Sequence, residues 1–376
     1  MKGITTLPAI KSEHDFKVAC RTSERFFTVA DALRSALFAA TAAISIESLR
    51  RLPVPVRFRV SGSSRYWSKI QREMRHHEAP FFAKMADARC SPSAEREVGQ
   101  FMMDVLGAVM SSRDHRRVPV WALEASIMQS FWLRQGALYE PTAALHYLMS
   151  TSDVSSDVPL SMLRLPSPAV CITPEPSMRD RTGLEAVLVF EHGRPDHDAS
   201  ARFLTFCIWT RDAKSFAAVD FRTMCFKMEE GAYTVGAMLN GILAANDDDR
   251  ETALVCRVAV DYAVKMLLYL SLDKTPVIHE RPYSTAPRDF AGLGKRRRAE
   301  KLAAIEQLYD RYVVGPAVLP AHASVRESVD SSGESEVRPH WRRGYFRMQP
   351  FGQAASQRKL IFVMPTVVRA DRLNVE

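Results

Sequence analysis

The residues best suited to chemistry lie between Arg338 and Gln353, in the run RPHWRRGYFRMQPFGQ. Arg338, Arg342, Arg343 and Arg347 are interleaved there with His340, Trp341, Tyr345 and Phe346. A guanidinium engages a phosphate through two parallel N–H donors, and an aromatic ring offers its face to an unpaired base. The mixture suits single-stranded RNA. Metal-free cleavage of RNA would need a base for the 2′-hydroxyl and cations for the charge that builds at phosphorus. His340 is the group for that proton transfer, and Arg342, Arg343 and Arg347 are the stabilising cations. Arg358 and Lys359 extend the basic character downstream. From Arg338 to Glu376 the chain carries eight Arg or Lys against two acidic residues, so most of the formal net charge of +8 falls in this stretch. Packing offers a competing account, because arginines also stack on aromatic rings at strand edges.

A second basic run, Lys295-Arg296-Arg297-Arg298, presents Arg296, Arg297 and Arg298 as phosphate contacts, or else as a solvated helix face. Glu191, His192, Asp196, His197 and Asp198 are close enough in sequence for metal ligation. Gly193 and Pro195 lie among them, between two expected strands, so a solvated loop is the better reading. Asp247, Asp248 and Asp249 precede a helical stretch and serve as its cap. His76 and His77 stand beside Arg75 in a polar stretch and are read as surface residues. The phosphate-binding loop, the G-x-S-x-G elbow, the H-E-x-x-H helix and paired C-x-x-C motifs are absent from the sequence. The reading therefore includes no metal and no cofactor. The six cysteines are scattered (Cys20, Cys90, Cys171, Cys207, Cys225, Cys256) and are read as reduced thiols of a cytoplasmic chain.

The elements that must position these groups point to an α+β fold. Apolar residues make up 47% and charged residues 25%, as in ordinary globular proteins. Residues 1–150 read as a helical domain, with Pro53 and Pro55 interrupting the pattern. The polar run TSDVSSDVP reads as a linker. Residues 157–275 form a mixed α/β domain with strands at Ala169–Ile172, Ala186–Phe190, Arg202–Trp209 and Ala217–Phe221, then helices at Tyr233–Leu243 and Arg250–Leu272. The last of these carries Arg257, Asp261 and Lys265, which suits a core helix and not a membrane span. Residues 276–337 are expected as a linker with a basic amphipathic helix ending near Tyr312. The stretch from His322 to Val337 has the low hydrophobicity of a flexible connection. Residues 338–376 form a small basic β-module, with extended segments at Tyr345–Met348 and Leu360–Met364 around the turn at Gly352. The first residues, MKGITTLPAIKSEHDF, are too broken by charge for a signal peptide.

The segment RPHWRRGYFRMQPFGQ, followed by RKLIFVMPTVVRAD, resembles the C-terminal region of the anti-CRISPR family that suppresses production of the type V-A CRISPR nuclease. The matching positions are Arg338, Pro339, His340, Arg342, Arg343, Gly344, Tyr345, Gly352, Pro365 and Val368. The apolar run LLYLSLD and the segment LPSPAVCIT have looser counterparts. One departure is Tyr345-Phe346, which stands where family members often carry His-Trp. The resemblance implies a bacterial, cytoplasmic site of action during translation. It implies recognition of a nascent peptide of the target protein and destruction of its mRNA on the ribosome, with no membrane partner. Two other classes fit the residues: an adaptor that recruits a host ribonuclease, and a structural or assembly protein of a phage or plasmid.

Overall fold

The computed structural model describes residues 48, 51–60, 127–128, 130–132, 134–193, 202–211, 219–228, 233–244, 250–319 and 340–368. In chain order the elements are α1 (Val54–Val60), β1 (Ala137–Pro141), α2 (Ala143–Ser150), β2 (Ser152–Val154), β3 (Ala169–Ile172) and α3 (Pro176–Thr182). Then come β4 (Leu184–Gly193), β5 (Arg202–Arg211), β6 (Val219–Met228), α4 (Val235–Ala244), α5 (Arg250–Leu270) and β7 (Val277–Glu280). The last are α6 (Lys295–Glu306), β8 (Arg311–Val314), β9 (His340–Arg342), β10 (Gly344–Phe351), β11 (Gln357–Val363) and β12 (Thr366–Val368). The fold is α+β. The chain divides into two compact units, one of Met1–Gln135 with Pro287–Leu308 and one of Gly136–Ala286 with Tyr309–Glu376.

In the first unit, α1 buries Val54, Pro55, Val56 and Phe58. The helical pattern breaks at Leu52 and Pro53, and α1 starts anew at Val54. Pro53 supplies the carbonyl that accepts from the Val56 and Arg57 amides at 2.9 and 3.0 Å. Pro55 sits in the first turn, where its missing N–H is not needed. Arg59 reaches the end of α6, donating to the Glu306 carbonyl at 3.1 Å and the Leu308 carbonyl at 2.5 Å. A cation on the last carbonyls of a helix satisfies orphan acceptors and complements the dipole.

The second unit is built on a seven-stranded sheet in the order β6-β5-β4-β3-β1-β8-β7. Strands β3, β1 and β8 run parallel at its centre, β4 to β6 form an antiparallel meander, and β7 pairs antiparallel with β8. All four residues of β3 are buried, as a short apolar run in a parallel region requires. On β5, Leu204, Phe206 and Ile208 enter the main core. Phe203, Cys207 and Trp209, on the opposite face, are buried as well, so both faces of this strand are covered.

Helix α5 is amphipathic at its start and buried almost all round from Ala259 to Tyr269. It packs against α2, α4, β4 and β5, and its Tyr269 meets Phe362 of β11 edge-on at 6.1 Å. Lys265 is buried in this helix, with its ammonium 2.6 Å from Asp261 one turn back. A buried charge persists only with such a partner.

Four segments differ from the sequence expectation, and one of them, Val277–Glu280 in the expected linker, is the edge strand β7. Residues 137–141, expected as helix, are the central strand β1, set off by Gly136 and ending at Pro141. The run expected as a polar linker after Thr151 contains β2, which pairs parallel with β10 almost two hundred residues later. Helix α6 ends at Glu306, short of Tyr312, because residues 311–314 are drawn into the large sheet as β8.

Candidate nucleic-acid interface

Strands β2, β10 and β11 form a three-stranded sheet, and β9 and β12 form a two-stranded ribbon. Along β10 the pleat sorts residues by chemistry. Gly344, Phe346 and Met348 face inward and are buried. Phe346 and Met348 lie opposite Phe362 and Leu360 of β11, and these residues join the core that contains α5. Tyr345, Arg347 and Gln349 face outward, opposite Val363, Ile361 and Lys359.

Gly344 is forced by the close approach of β2. A Cβ there would collide with Ser152 Oγ and lie 2.7 Å from Pro365 Cδ and 2.8 Å from the Val363 carbonyl. Its amide donates to the Thr151 carbonyl at 3.2 Å, and the Ser155 amide donates to the Phe346 carbonyl at 2.9 Å. The buried Ser152 hydroxyl is satisfied by the Leu148 carbonyl at 2.5 Å.

The expected site residues gather on this scaffold in different ways. His340 and Trp341 take backbone positions in β9 opposite Val368 and Val367 of β12. Arg342 is exposed. Its Nη2 donates to the Tyr345 hydroxyl at 3.4 Å, and its guanidinium carbon lies 5.9 Å from the Tyr345 ring centroid. Arg347 places its guanidinium carbon 5.7 Å from the same ring and donates from Nη2 to Gln349 Oε1 at 2.6 Å. Its Nε is buried without a hydrogen-bond partner. Arg343, exposed, is 3.3 Å from Asp153 of β2. Lys359 is 2.6 Å from Asp273 and exposed, and Arg358 is exposed on β11. Arg338 lies outside the described residues. Arg296, Arg297 and Arg298 are exposed in the first turn of α6, which belongs to the other compact unit, and Arg296 pairs with Glu300 at 2.9 Å.

The suspected metal cluster is accounted for only at Glu191, which Arg202 holds in a two-point pair at 2.7 and 2.9 Å. Asp196, His197, Asp198, the acidic run at 247–249, His76 and His77 lie outside the described residues. Among the described residues no group of three or more His, Cys, Asp or Glu is placed to hold a metal ion. No described helix is long and apolar enough to cross a membrane. Cys171, Cys207, Cys225 and Cys256 form no disulfide among the described residues.

Sequence reasoning missed a charged network on β1, β7 and β8. Arg311 bridges Glu140 at 2.5 Å and Glu280 at 2.8 Å, and the Tyr309 hydroxyl donates to Glu140 at 3.1 Å. Burial, reinforced by the Glu140 charge, pushes the Tyr309 hydroxyl up to about 12. On the other face Tyr139, Tyr312 and His279 stack in a row, with ring centroids 4.9 and 4.1 Å apart. The short aromatic and β-branched segment RYVV was the available signal for β8, but the preceding helix pattern masked it.

The architecture defines the chain as an α+β protein with a basic sheet fused to its main core. The AcrVA2-like family (Anti-CRISPR type V subtype A2 family) matches residues 139–370, which spans the large sheet and the basic sheet. The chain belongs to that family, and its role is anti-defence, directed at CRISPR immunity on behalf of a phage or plasmid. Among solved structures it is similar to the crystal structure of AcrVA2, with 14% identity and a TM-score of 0.41, covering 76% of this chain and 91% of that one. No curated protein matches the sequence.

Proposed function

We propose that this protein lowers production of a type V-A CRISPR nuclease in the bacterial cytoplasm by acting on the mRNA that encodes it. Residues 1–150 and the mixed domain of 157–275 recognise the target protein or its nascent peptide. The basic module of 338–376 contacts the RNA, and Arg296, Arg297 and Arg298 give further phosphate contacts. The observation that carries this reading is the division of labour on β10 and β11. Their apolar side belongs to the core, while Arg342, Arg343, Arg347, Arg358 and Lys359 are left on or near the surface, and among the described residues only the carboxylates of Asp153 and Asp273 pair with them. Cations in that excess favour a polyanion.

His340 is the only histidine between Arg338 and Glu376, so it is the proton-transfer group if the protein itself cuts RNA. The test joins binding to turnover. Arg342→Gln with Arg343→Gln should weaken RNA binding by the full chain and flatten its salt dependence, by about 0.7 in the log–log slope for each lost single-strand phosphate contact. His340→Ala should keep RNA affinity. It should lose about a hundredfold or more in cleavage rate if the protein is a nuclease. Unchanged message decay in cells would instead assign cutting to a recruited host ribonuclease. Stable target mRNA in cells expressing the wild-type chain would overturn the reading altogether.

A further inference from the structure

We infer that Tyr345 is not a platform for a base but the post that holds Arg342 and Arg347 as a clamp for neighbouring phosphates of a single strand. The inference rests on the RNA-contact reading and adds to it that recognition is of the backbone, independent of base sequence. The ring of Tyr345 is already engaged. Guanidinium carbons lie 5.9 and 5.7 Å from its centroid, one brought by the β9 ribbon and one by β10 two residues further on the same face. Both fall within the roughly 6 Å over which a cation is drawn to the ring quadrupole. The Tyr345 hydroxyl also accepts from Arg342. A base stacking there would have to displace a cation.

The two arginines differ from their neighbours in what they lack. Arg343 and Lys359 each face a carboxylate, Asp153 and Asp273. Arg342 and Arg347 face a phenol and an amide oxygen, and no carboxylate pairs with either among the described residues. Arg347 is also held at one end by Gln349, and its Nε has no acceptor. Two like charges on one ring repel, and an anion beside each relieves the repulsion. A single strand supplies neighbouring phosphodiester anions, each with two non-bridging oxygens that the parallel N–H donors of a guanidinium match. Tyr345 is thus a positioning residue, and the phosphate contacts belong to the arginines.

The test uses the full chain with two probes, a short fluorescein-labelled oligouridylate and an abasic phosphodiester of the same length. The clamp predicts that removing the bases costs less than about fivefold in affinity, the least that one stacked base contributes. It predicts that Tyr345→Leu lowers the log–log salt slope by about 1.4, two phosphate contacts at about 0.7 each, and that Tyr345→Phe restores it. Arg342→Gln and Arg347→Gln should each remove about half of that slope, which keeps the test alive if Tyr345→Leu does not fold. Loss of the abasic probe alone, with an unchanged slope in Tyr345→Leu, would establish base stacking and overturn the clamp. A lowered melting temperature in Tyr345→Leu with the wild-type slope would reduce the contacts to packing and overturn it too. Failure of the wild-type chain to bind either probe would sink the RNA reading itself, a result distinct from the other two.

Discussion

The two basic regions of this protein carry their charge on opposite physical terms. In α6, Lys295, Arg296, Arg297 and Arg298 fill the first turn, with no acidic residue there and no side-chain cap from Gly294. The positive end of the helix dipole opposes them. Ile305 is the only buried residue of the helix. In the C-terminal sheet four cations have a structural neighbour: Asp153 for Arg343, Asp273 for Lys359, the Tyr345 ring for Arg342 and Arg347. The dipole disfavours the cations of α6, and Arg296 offsets this only in part through Glu300 one turn on at 2.9 Å, so local stability gives little reason for their presence. Those of the sheet also serve packing. Substitution in α6 therefore reads partner binding almost alone, whereas substitution in the sheet mixes binding with stability.

The contrast is most easily broken from the core side. Phe346 is fully buried and packs its ring against that of Phe362, centroids 4.6 Å apart and planes tilted by 31°. Phe346→Ala should cost about 3–5 kcal/mol in chemical denaturation. A loss below about 1 kcal/mol would mean that the basic sheet folds apart from the main core. Next in size is the α6 triple variant Arg296→Gln, Arg297→Gln, Arg298→Gln. It should leave the melting temperature unchanged or raised, each removed cation relieving about 0.3–1 kcal/mol of dipole repulsion, while RNA affinity at low salt falls. A melting temperature lowered by the triple variant would show that the run stabilises its helix.

Asp153→Asn sharpens the other half. Exposed pairs contribute about 1 kcal/mol at most, so stability should hardly move, while RNA affinity should rise as Arg343 loses its competing carboxylate. Weaker RNA binding in that variant would instead make Asp153 an orienting partner that the site needs. The smallest effect concerns acid. Burial alone would raise the Asp310 carboxyl, but the Ser284 hydroxyl and the Ser284 and Tyr283 amides outweigh it and hold it below the ordinary carboxylate range. Its contribution to stability is present above that range and is lost as pH falls through the lowered value. Asp310→Asn should make the acid limb of a stability profile shallower, and an unaltered limb would show that the turn contributes nothing.

Strands that carry their own pattern were legible from sequence. Ala169–Ile172 is strand at the expected residues, and Ala186–Phe190 and Arg202–Trp209 lie inside longer strands. Tyr345–Met348 lies within β10, and α5, Arg250–Leu270, lies within the expected helix Arg250–Leu272. Strands stabilised mainly by distant partners were not. Ser152–Val154 is too short and polar to show a period, and its hydrogen bonds go to β10. Arg311–Val314 has four residues, and parallel pairing with β1 makes it a strand. The candidate site divides the same way. The types Arg342, Arg343, Tyr345, Arg347 and Lys359 were visible as basic and aromatic residues, but the carboxylates that face Arg343 and Lys359, Asp153 and Asp273, come from distant parts of the chain.

The sequence by itself determined the α+β class, the meander strands, the core helix and the place where positive charge collects. These depend on local periodicity and composition, which act within a few residues. Only the tertiary structure decided that β2 completes the basic sheet and that Gly344 leaves room for Ser152. It also decided that Tyr345 is shared by two arginines while Arg343 and Lys359 are each matched to a carboxylate. Those outcomes depend on contacts between residues far apart in the chain. Packing of Phe346, Met348 and Leu360 into a common core with α5 brings such residues together, and no local pattern encodes which ones will meet.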